Sequence, residues 1–213
     1  MTAETVDIQG LLAGKWEDGT RPKDLFSLYV AGAPEDYALA IIAGLRAPQR
    51  KVQSGCAELA SLLSETEPQP LWPHADLFVA NLAAREPVLR WEAVCVLGNL
   101  AALDCHRTLV PCIPAIARNL THKSVVLQVH SVRTLAKMAH AYPDRAAAIL
   151  DDLFAARDHF PGTKLGHLVE VMHYFADDEL LRRRARDFVA PLAHHQLPAV
   201  ATKARRALRA LAG

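Results

Sequence analysis

The chain has 213 residues, of which 51% are hydrophobic and 22% are charged, and its formal net charge at pH 7 is +1. This composition supplies enough apolar surface for a sizeable core and excludes wholesale disorder. The near-zero net charge excludes a global attraction to nucleic acid or to an anionic membrane. Because no uninterrupted apolar run approaches the roughly 18 residues of a membrane-spanning helix, we expect no membrane partner.

The cysteines and the first residues bear on the cellular compartment. The four cysteines form no CxxC pair and no dense disulfide framework. The first residues lack the basic and apolar regions of a secretory signal. We therefore expect a cytoplasmic protein, either a monomer or a weak oligomer.

The first predicted elements lie in residues 1–34, which we interpret as an N-terminal helical cap. The apolar residues of this segment are Val6, Ile8, Leu11, Leu12, Trp16 and the stretch 25–29. Their spacing gives a short apolar helical face that suits a cover over the following helices. The alternative is a flexible tail that seeks a partner.

A pattern of small and apolar residues recurs along the rest of the chain. Ala93, Leu97 and Leu100 lie at i, i+4 and i+7, on one face of a helix. Steps of 36 to 38 residues lead to the equivalent sets Gly55, Leu59 and Leu62; Ser131, Leu135 and Met138; Leu168, Met172 and Phe175; and Ala204, Leu208 and Leu211. Such a period predicts stacked helical repeats.

A partner helix is predicted before each patterned helix. The partners cover about residues 35–46, 71–84, 106–120, 143–158 and 178–193. Prolines break most of the pairs, because proline lacks a backbone N–H and disfavours helix in the residue before it. The sequence thus predicts an all-α superhelix, a solenoid of ten helices in five antiparallel pairs. The solenoid covers residues 35–213, with approximate repeats 35–66, 70–104, 106–141, 143–176 and 178–212.

The segment from Val88 to Ala101, VLRWEAVCVLGNLA, resembles the second helix of a HEAT repeat. The loose consensus of that family is Val-Arg-x-x-Ala-x-x-x-Leu-Gly-x-Leu-Ala. The resemblance covers roughly residues 35–212 and is weakest in the last two repeats, which lack the arginine and the glycine. It implies a superhelical fold and a partner-binding role, and it says nothing about catalysis because the consensus residues are structural.

The side of each second helix that faces the next repeat changes character at the end of the chain. In the inner repeats this side is apolar, with Trp91 and Val94 in the second repeat and Val132 in the third, so we expect Trp91 to pack against the neighbouring repeat. In the fifth repeat it carries Thr202, Arg205 and Arg209. We expect these three residues to be exposed, as on a terminal repeat that faces water.

The second helices are expected to line the concave face of the solenoid. One polar stripe of mixed sign occupies that face in the predicted register. Its candidate partner-binding residues are Glu92, Asn99, His130, Arg133, Lys137, His167, Glu170 and Tyr174. The stripe favours a non-catalytic scaffold that binds a protein partner of unknown identity.

A basic C-terminal end supports an alternative function. Basic residues outnumber acidic residues by eight to three in the range 178–213, whereas acidic residues predominate by seven to three in the range 1–40. The candidate basic patch is Arg182, Arg183, Arg184, Arg206 and Arg209. It predicts a nucleic-acid-binding or DNA-repair module, because phosphate attracts clustered arginine. The same asymmetry also suits a solvated cap, or a head-to-tail contact between copies.

No grouping in the sequence predicts catalysis, a metal or a cofactor. On a helix, His167 and His173 lie about 120° and about 9 Å apart, so they do not share one small ion. No Ser-His-Asp grouping or phosphate-cradling glycine loop is readable. We therefore expect a protein that is not an enzyme. A third hypothesis, a chaperone-like accessory as in the HEAT-like proteins that handle bilin chromophores, requires an apolar pocket for a small molecule.

Overall fold

The computed structural model describes residues 6–212, and every regular element within that range is helical. Twelve α-helices lie in this range, joined by short 3₁₀ segments. They are α1 (Ile8–Ala13), α2 (Pro22–Leu28), α3 (Pro34–Gly44), α4 (Arg50–Thr66), α5 (Ala75–Asn81), α6 (Pro87–Leu100), α7 (Ile113–Ala117), α8 (Val125–Ala141), α9 (Pro143–Ala155), α10 (Leu165–Glu170), α11 (Glu179–Val189) and α12 (Pro198–Ala210). Ten of them begin at or after Pro34, so the predicted all-α class and the predicted ten helices are confirmed.

Proline opens several of these helices. Pro34, Pro87, Pro143 and Pro198 are the first residues of α3, α6, α9 and α12. The first N–H of a helix has no intrahelical acceptor, and the fixed φ of proline already suits the helix. The prolines that separate neighbouring helices therefore also fix where the second one begins.

The first compact unit extends to Leu103 and holds α1 to α6. Helix α3 packs against α4, α5 packs against α6, and α4 lies along α6. Leu59, Leu97 and Phe78 are buried between these helices. Because α4 and α6 are the second helices of their hairpins, their outer faces form one surface.

Helices α1 and α2 pack against α4 in the same unit. Ile8, Leu12 and Leu25 are almost completely buried. A Cβ atom on Gly55 would lie 2.6 Å from Cδ2 of Leu12, so the small residue of the first repeat makes room for α1. Part of the predicted cap falls on residues 1–5, which lie outside the described residues, and the boundary at residues 34 and 35 stays a prediction.

The second compact unit begins at Asp104 and holds α7 to α12. Helix α8 packs against α7 and α9, α11 contacts α9, and α10 lies along α12. Leu135, Leu150 and Phe175 are buried in this unit. Helices α8, α10 and α12 are the second helices of the hairpins in this unit.

Asp104 organises the start of the second unit. Its carboxylate accepts hydrogen bonds from Thr108 N at 2.8 Å, Thr108 Oγ1 at 3.0 Å, Leu109 N at 2.7 Å and Tyr142 Oη at 2.7 Å. Burial alone would raise the pKa of Asp104, but the hydrogen bonds from Leu109, Tyr142 and Thr108 outweigh it and hold the pKa below its ordinary value. The carboxylate is therefore bound as a charged group that ties the loop to Tyr142.

The structure of the same loop contradicts part of the prediction for the first helix of the third repeat. A helix was expected over residues 106–120, but regular structure there begins with a 3₁₀ turn at Val110 and α7 covers only Ile113–Ala117. Arg107 adopts a left-handed φ of 63°, which a continuous α-helix does not allow. Pro111 and Pro114 shorten the helix further, since each removes a backbone donor.

The second helix of the fourth repeat is also shorter than expected. Helix α10 ends at Glu170, and a 3₁₀ segment from Met172 to Phe175 follows it. Met172 and Phe175 remain buried, so the core contacts of the repeat survive the change of helix type. The packing pattern therefore predicts burial here more reliably than it predicts the hydrogen-bonding pattern.

The repeat pattern correctly predicts most of the buried residues at its central position. Leu59, Leu97, Leu135 and Met172, which share one position of the pattern, are all fully buried. The fifth member, Leu208, is half-buried. No element after α12 covers it within the described residues. Thr202, Arg205 and Arg209 are exposed, as expected for the outer side of that helix.

Candidate partner-binding surfaces

A cleft of about 500 Å³ opens on the second-helix surface of the first unit, and we call it the indole cleft. Its lining residues are Trp16, Arg50, Lys51, Ser54, Glu58, Glu86, Val88, Trp91 and Glu92. Two indole rings and a valine give it apolar walls, and three carboxylates lie among them. Glu92 is the only one of the eight predicted stripe residues in this lining.

Two glutamates of the indole cleft lie in unusual surroundings. Trp91 Nε1 donates to Glu92 Oε1 at 3.0 Å. Burial raises the pKa of Glu92, the hydrogen bonds from Ser61 and Trp91 oppose the rise, and the neighbouring carboxylate of Glu58 adds to it. Burial also raises the pKa of Glu58, and the charge of Lys23 only partly opposes that rise. A raised pKa means that each carboxylate is poorly compensated when it is charged.

The third carboxylate and the two cations at the rim are arranged differently. Arg50 pairs with Glu86, so the charge of that carboxylate is compensated. Lys51 donates to the carbonyl oxygen of Gly14, and its Nζ lies 5.4 Å from the centroid of the Trp16 ring. Trp16 is itself fixed, because its Nε1 donates to the carbonyl oxygen of Leu12 at 3.0 Å. Trp16 and Lys51 thus form a cation–π contact at the rim of the cleft.

Asn99, another of the candidate partner-binding residues, takes part in a hydrogen bond between two helices. Its Nδ2 donates to Ser64 Oγ at 2.7 Å, and Ser64 Oγ donates to the carbonyl oxygen of Ser61 at 2.7 Å. These bonds join α6 to α4. Asn99 therefore contributes to the contact between the two second helices.

The residues on α8 lie on the surface of the second unit. Arg133 is exposed, and His130 and Lys137 are half-buried. Burial lowers the pKa of His130, and the charges of Arg133 and His167 lower it further. The structure thus brings His130, Arg133 and His167 close together.

A charged cluster links α10 to α12. Lys203 Nζ lies 3.0 Å from Glu170 Oε2, and His167 Nδ1 lies 3.7 Å from the same oxygen. Burial lowers the pKa of His167, with further lowering from Lys203 and Arg133 and an opposing effect from Glu170. His167 and Glu170 are among the candidate partner-binding residues, and Lys203 occupies the position of His167 in the fifth repeat.

Tyr174 belongs to an aromatic group at the end of α8. Its ring centroid lies 4.3 Å from that of His173 and 6.2 Å from that of His140. His140 Nδ1 in turn lies 3.2 Å from Asp177 Oδ2. Tyr174 is half-buried by these neighbours, so only part of its ring is open to a ligand.

The five arginines of the predicted basic patch are divided between two helices. Arg182 pairs with Glu179, and Arg184 pairs with Asp151 and lies 5.7 Å from the ring of Phe154 on α9. Arg183 is exposed on the same helix, α11. Arg206 and Arg209 lie on α12, where Arg206 lines a cleft together with Lys203. Arg184 thus contacts a first helix, whereas Arg206 faces second-helix residues.

The indole cleft also contains residues that the sequence interpretation missed. Trp91 was expected to pack against a neighbouring repeat, but it is half-buried and lines the cleft. Glu58 was not singled out, although it lies four residues after Ser54 and three before Ser61, on the same face of α4. Trp16 was assigned only to the apolar face of the cap, because no helical spacing connects it to the repeats.

Designed helical-repeat proteins of known structure resemble this chain. An engineered protein solved as a structural-genomics target is 17% identical over 98% of this chain and 100% of its own, with a TM-score of 0.66. A designed armadillo repeat protein is 16% identical over 96% of this chain and 90% of its own, with a TM-score of 0.63. Another, solved in complex with the peptide (KR)4, is 14% identical with the same coverage and a TM-score of 0.65.

These likenesses show the fold, which is a solenoid of helical repeats of the armadillo type. No protein-family model and no curated protein sequence matches the chain. The HEAT resemblance of the segment from Val88 to Ala101 therefore stays an interpretation. No helix within residues 6–212 has the length and the apolar character to cross a membrane.

Proposed function

We propose that this chain is a non-catalytic scaffold of HEAT-like repeats that binds an extended segment of a protein partner on its second-helix surfaces. In the first unit, the indole cleft receives a lysine or arginine side chain of that segment. The stripe residues of the second unit contribute a separate contact. This proposal keeps the predicted concave-face role and adds the chemistry of one contact.

The observation that carries the proposal is the combination of two indole rings with two poorly compensated carboxylates in one cleft. A cationic side chain would lie against the face of Trp91, where cation–π attraction stabilises it, beside Trp16, whose ring is already contacted by Lys51. Its charge would compensate Glu58 and Glu92, whose pKa values are raised by burial. A neutral or anionic side chain would leave that burial cost unrelieved.

The structural neighbours support a peptide as the ligand. One designed armadillo repeat protein with this fold was solved in complex with the peptide (KR)4. A solenoid presents a row of second helices, which suits an extended chain more than a compact small molecule. We therefore infer that the partner contributes an extended basic segment.

The test is a titration of the full chain with fluorescently labelled (KR)4, followed by fluorescence anisotropy. A labelled (EK)4 peptide of the same length and zero net charge serves as the ligand control. We expect Glu92→Gln and Glu58→Gln each to weaken (KR)4 binding by about tenfold, since each removes one charge partner in a partly desolvated site. Glu35→Gln, on the exposed start of α3, is the matched control and should leave the affinity unchanged.

The outcomes separate a specific contact from diffuse attraction. Equal losses for Glu35→Gln and Glu92→Gln would show that net charge alone attracts the peptide. Equal binding of (EK)4 and (KR)4 would show that the cleft does not select cations. Trp91→Leu keeps an apolar wall and removes the π face, so we expect a several-fold loss from it as well.

A nucleic-acid function for the basic C-terminal end stays a prediction. Two of its five arginines, Arg182 and Arg184, are engaged in ion pairs with Glu179 and Asp151. Retardation of a DNA fragment at physiological salt, abolished when all five arginines are changed to glutamine, would support it against the scaffold. A steep dependence of that retardation on salt is the accompanying sign.

A further inference from the structure

A second cleft, of about 360 Å³, opens between α10 and α12 in the second unit. It is lined by Glu170, His173, Lys203, Arg206, Ala207 and Ala210. The two alanines leave room on the α12 side. Its cationic lining sets it apart from the indole cleft, so a basic segment is not its ligand.

An exchangeable ion pair lies at this cleft. Lys203 Nζ donates to Glu170 Oε2 at 3.0 Å, and both side chains are partly open to solvent. The stem of Lys203 crosses Gly166 so closely that a Cβ atom there would lie 2.8 Å from Lys203 Cδ. Partly exposed pairs of this kind contribute little stability, so a competing anion can take the place of Glu170.

His167 offers Glu170 another partner. Its Nδ1 is buried, has no hydrogen-bond partner and lies 3.7 Å from Glu170 Oε2. Burial and the nearby cations Lys203 and Arg133 lower the pKa of His167, with Glu170 opposing them, so the surroundings favour the neutral ring. If His167 takes up a proton, it forms an ion pair with Glu170 and Lys203 is released toward the cleft.

Other charged groups also face His167 and Glu170. His130 and Arg133 approach from α8, and the pKa of His130 is likewise lowered, first by burial. His173 Nδ1 lies 2.8 Å from the carbonyl oxygen of Glu170, and Arg206 completes the cleft on α12. Three permanent cations, Lys203, Arg133 and Arg206, therefore lie among these groups together with the carboxylate of Glu170.

We propose that this cleft binds a dianionic phosphoryl group carried by a protein segment. The phosphoryl oxygens accept hydrogen bonds from Lys203 Nζ and the guanidinium of Arg206. Glu170 moves to His167, whose Nδ1 forms an N–H bond with one proton that solvent or buffer gives up, and no other covalent bond forms or breaks. The two cations left facing the cleft match the roughly two negative charges of a phosphate monoester at pH 7, whereas a carboxylate carries only one.

The inference rests on the proposed function only in that a protein segment carries the phosphoryl group. It is independent of the indole cleft, because none of its residues lines that cleft. Loss of phosphopeptide binding with retained (KR)4 binding therefore contradicts this inference alone. The reverse result contradicts the proposed basic segment alone.

The experiment is isothermal titration calorimetry of the full chain with a heptapeptide of alanines that has phosphoserine at its centre. The same peptide with serine is the ligand control. We expect only the phosphopeptide to bind, and we expect its heat at pH 7 to differ between two buffers of different ionisation enthalpy, which reports proton uptake. Lys203→Gln and Arg206→Gln should each weaken binding by about tenfold, because each removes a charge-assisted hydrogen bond.

Glu170→Gln gives a result that a merely structural role would not produce. It removes the anion that competes for Lys203, so phosphopeptide binding should tighten several-fold and the proton uptake should disappear. Arg209→Gln is the matched control, since Arg209 is exposed on the same helix but does not line the cleft. Circular dichroism of each variant verifies that it is folded.

Four results would overturn the inference. They are no binding of the phosphopeptide, equal losses from Arg209→Gln and Arg206→Gln, weaker binding by Glu170→Gln, and inorganic phosphate binding as tightly as the phosphopeptide. The last would assign the cleft to free phosphate. Tighter binding of a single-stranded DNA oligonucleotide than of the phosphopeptide would assign it to nucleic acid instead.

Discussion

The second-helix surfaces of the two units differ in sign and in chemistry. In the first unit, α4 and α6 present Glu58 and Glu92 with indole rings, and burial raises the pKa of both carboxylates. In the second unit, α8, α10 and α12 present arginine, lysine and histidine, and burial lowers the pKa of His130 and His167. Each surface therefore carries groups whose charged form is disfavoured by burial.

This difference arises at positions that are equivalent in the repeat pattern. Glu92, His130, His167 and Lys203 each lie one residue before the small or apolar core position of their repeats. The core position is constrained by packing, whereas its neighbour faces outward and can vary without cost to the core. A repeat fold can thus keep one architecture and change the ligand chemistry from unit to unit.

The largest expected effect concerns the shared core beneath these surfaces. Leu97→Ala should lower the free energy of unfolding by about 2–5 kcal/mol, because a buried leucine leaves a cavity. Leu39→Ala is the matched control in the same unit, since Leu39 is 68% exposed, and it should change stability by less than about 0.5 kcal/mol. All three tryptophans, at 16, 72 and 91, lie in the first unit, so their fluorescence during urea unfolding reports on it directly.

The core was largely predictable from the sequence, and the surfaces were not. Period and apolar spacing identified Leu59, Leu97, Leu135 and Met172 as buried, because burial follows from helical geometry alone. The indole cleft depends on Trp16, which reaches α4 through the packing of α1. No local pattern encodes that contact. Asn99 faces Ser64 for the same reason, since the distance between α4 and α6 decides its partner.

The next effect tests the loop that begins the second unit. Asp104→Asn should lower the free energy of unfolding by about 1–3 kcal/mol at pH 7, because buried hydrogen-bond donors lose a charged acceptor. The pKa of Asp104 lies below its unfolded value of about 3.9, so its contribution is present above that pH and is lost as pH falls through the folded pKa.

Thermal unfolding measured between pH 2 and 7 checks this prediction. The variant should lose part of the acid dependence that the wild type shows below about pH 4. Asp158→Asn, at an exposed position in the same unit, is the control and should keep that dependence. An unchanged acid dependence in the Asp104 variant would mean that the carboxylate does not contribute as a charged group.

The opposite signs of the two surfaces predict opposite proton linkage. A cation in the indole cleft favours ionised Glu58 and Glu92, so (KR)4 affinity should rise with pH through their raised pKa values and then level off. We expect about a tenfold rise from pH 4 to pH 7, measured by anisotropy. Glu92→Gln should flatten the rise. A proton taken up on (KR)4 binding, as expected for the phosphopeptide in the second unit, would contradict the assignment of the two surfaces.

A smaller effect is expected from Arg133, which is exposed on α8 beside His130 and His167. Arg133→Glu should leave the fold intact and weaken phosphopeptide binding several-fold. Arg133 lies near His167 but does not line the second cleft, so the reversed charge repels the phosphoryl group only from a distance. Binding of (KR)4 in the first unit serves as the control. Weaker binding of both peptides would indicate an effect on the whole chain and would remove Arg133 from the partner-binding stripe.

The smallest effect is expected at Arg205, on the outer side of α12. Its guanidinium makes one long hydrogen bond to the carbonyl oxygen of Ala193 at 3.3 Å and another to Thr202 at 3.5 Å, both near solvent. Such bonds exchange readily with water, so Arg205→Ala should change the free energy of unfolding by less than about 0.5 kcal/mol. It should also leave phosphopeptide binding unchanged, although Arg206 is the next residue. Urea unfolding and calorimetry measure both quantities, and a loss comparable to that of Leu97→Ala would show that this side of α12 is covered by protein.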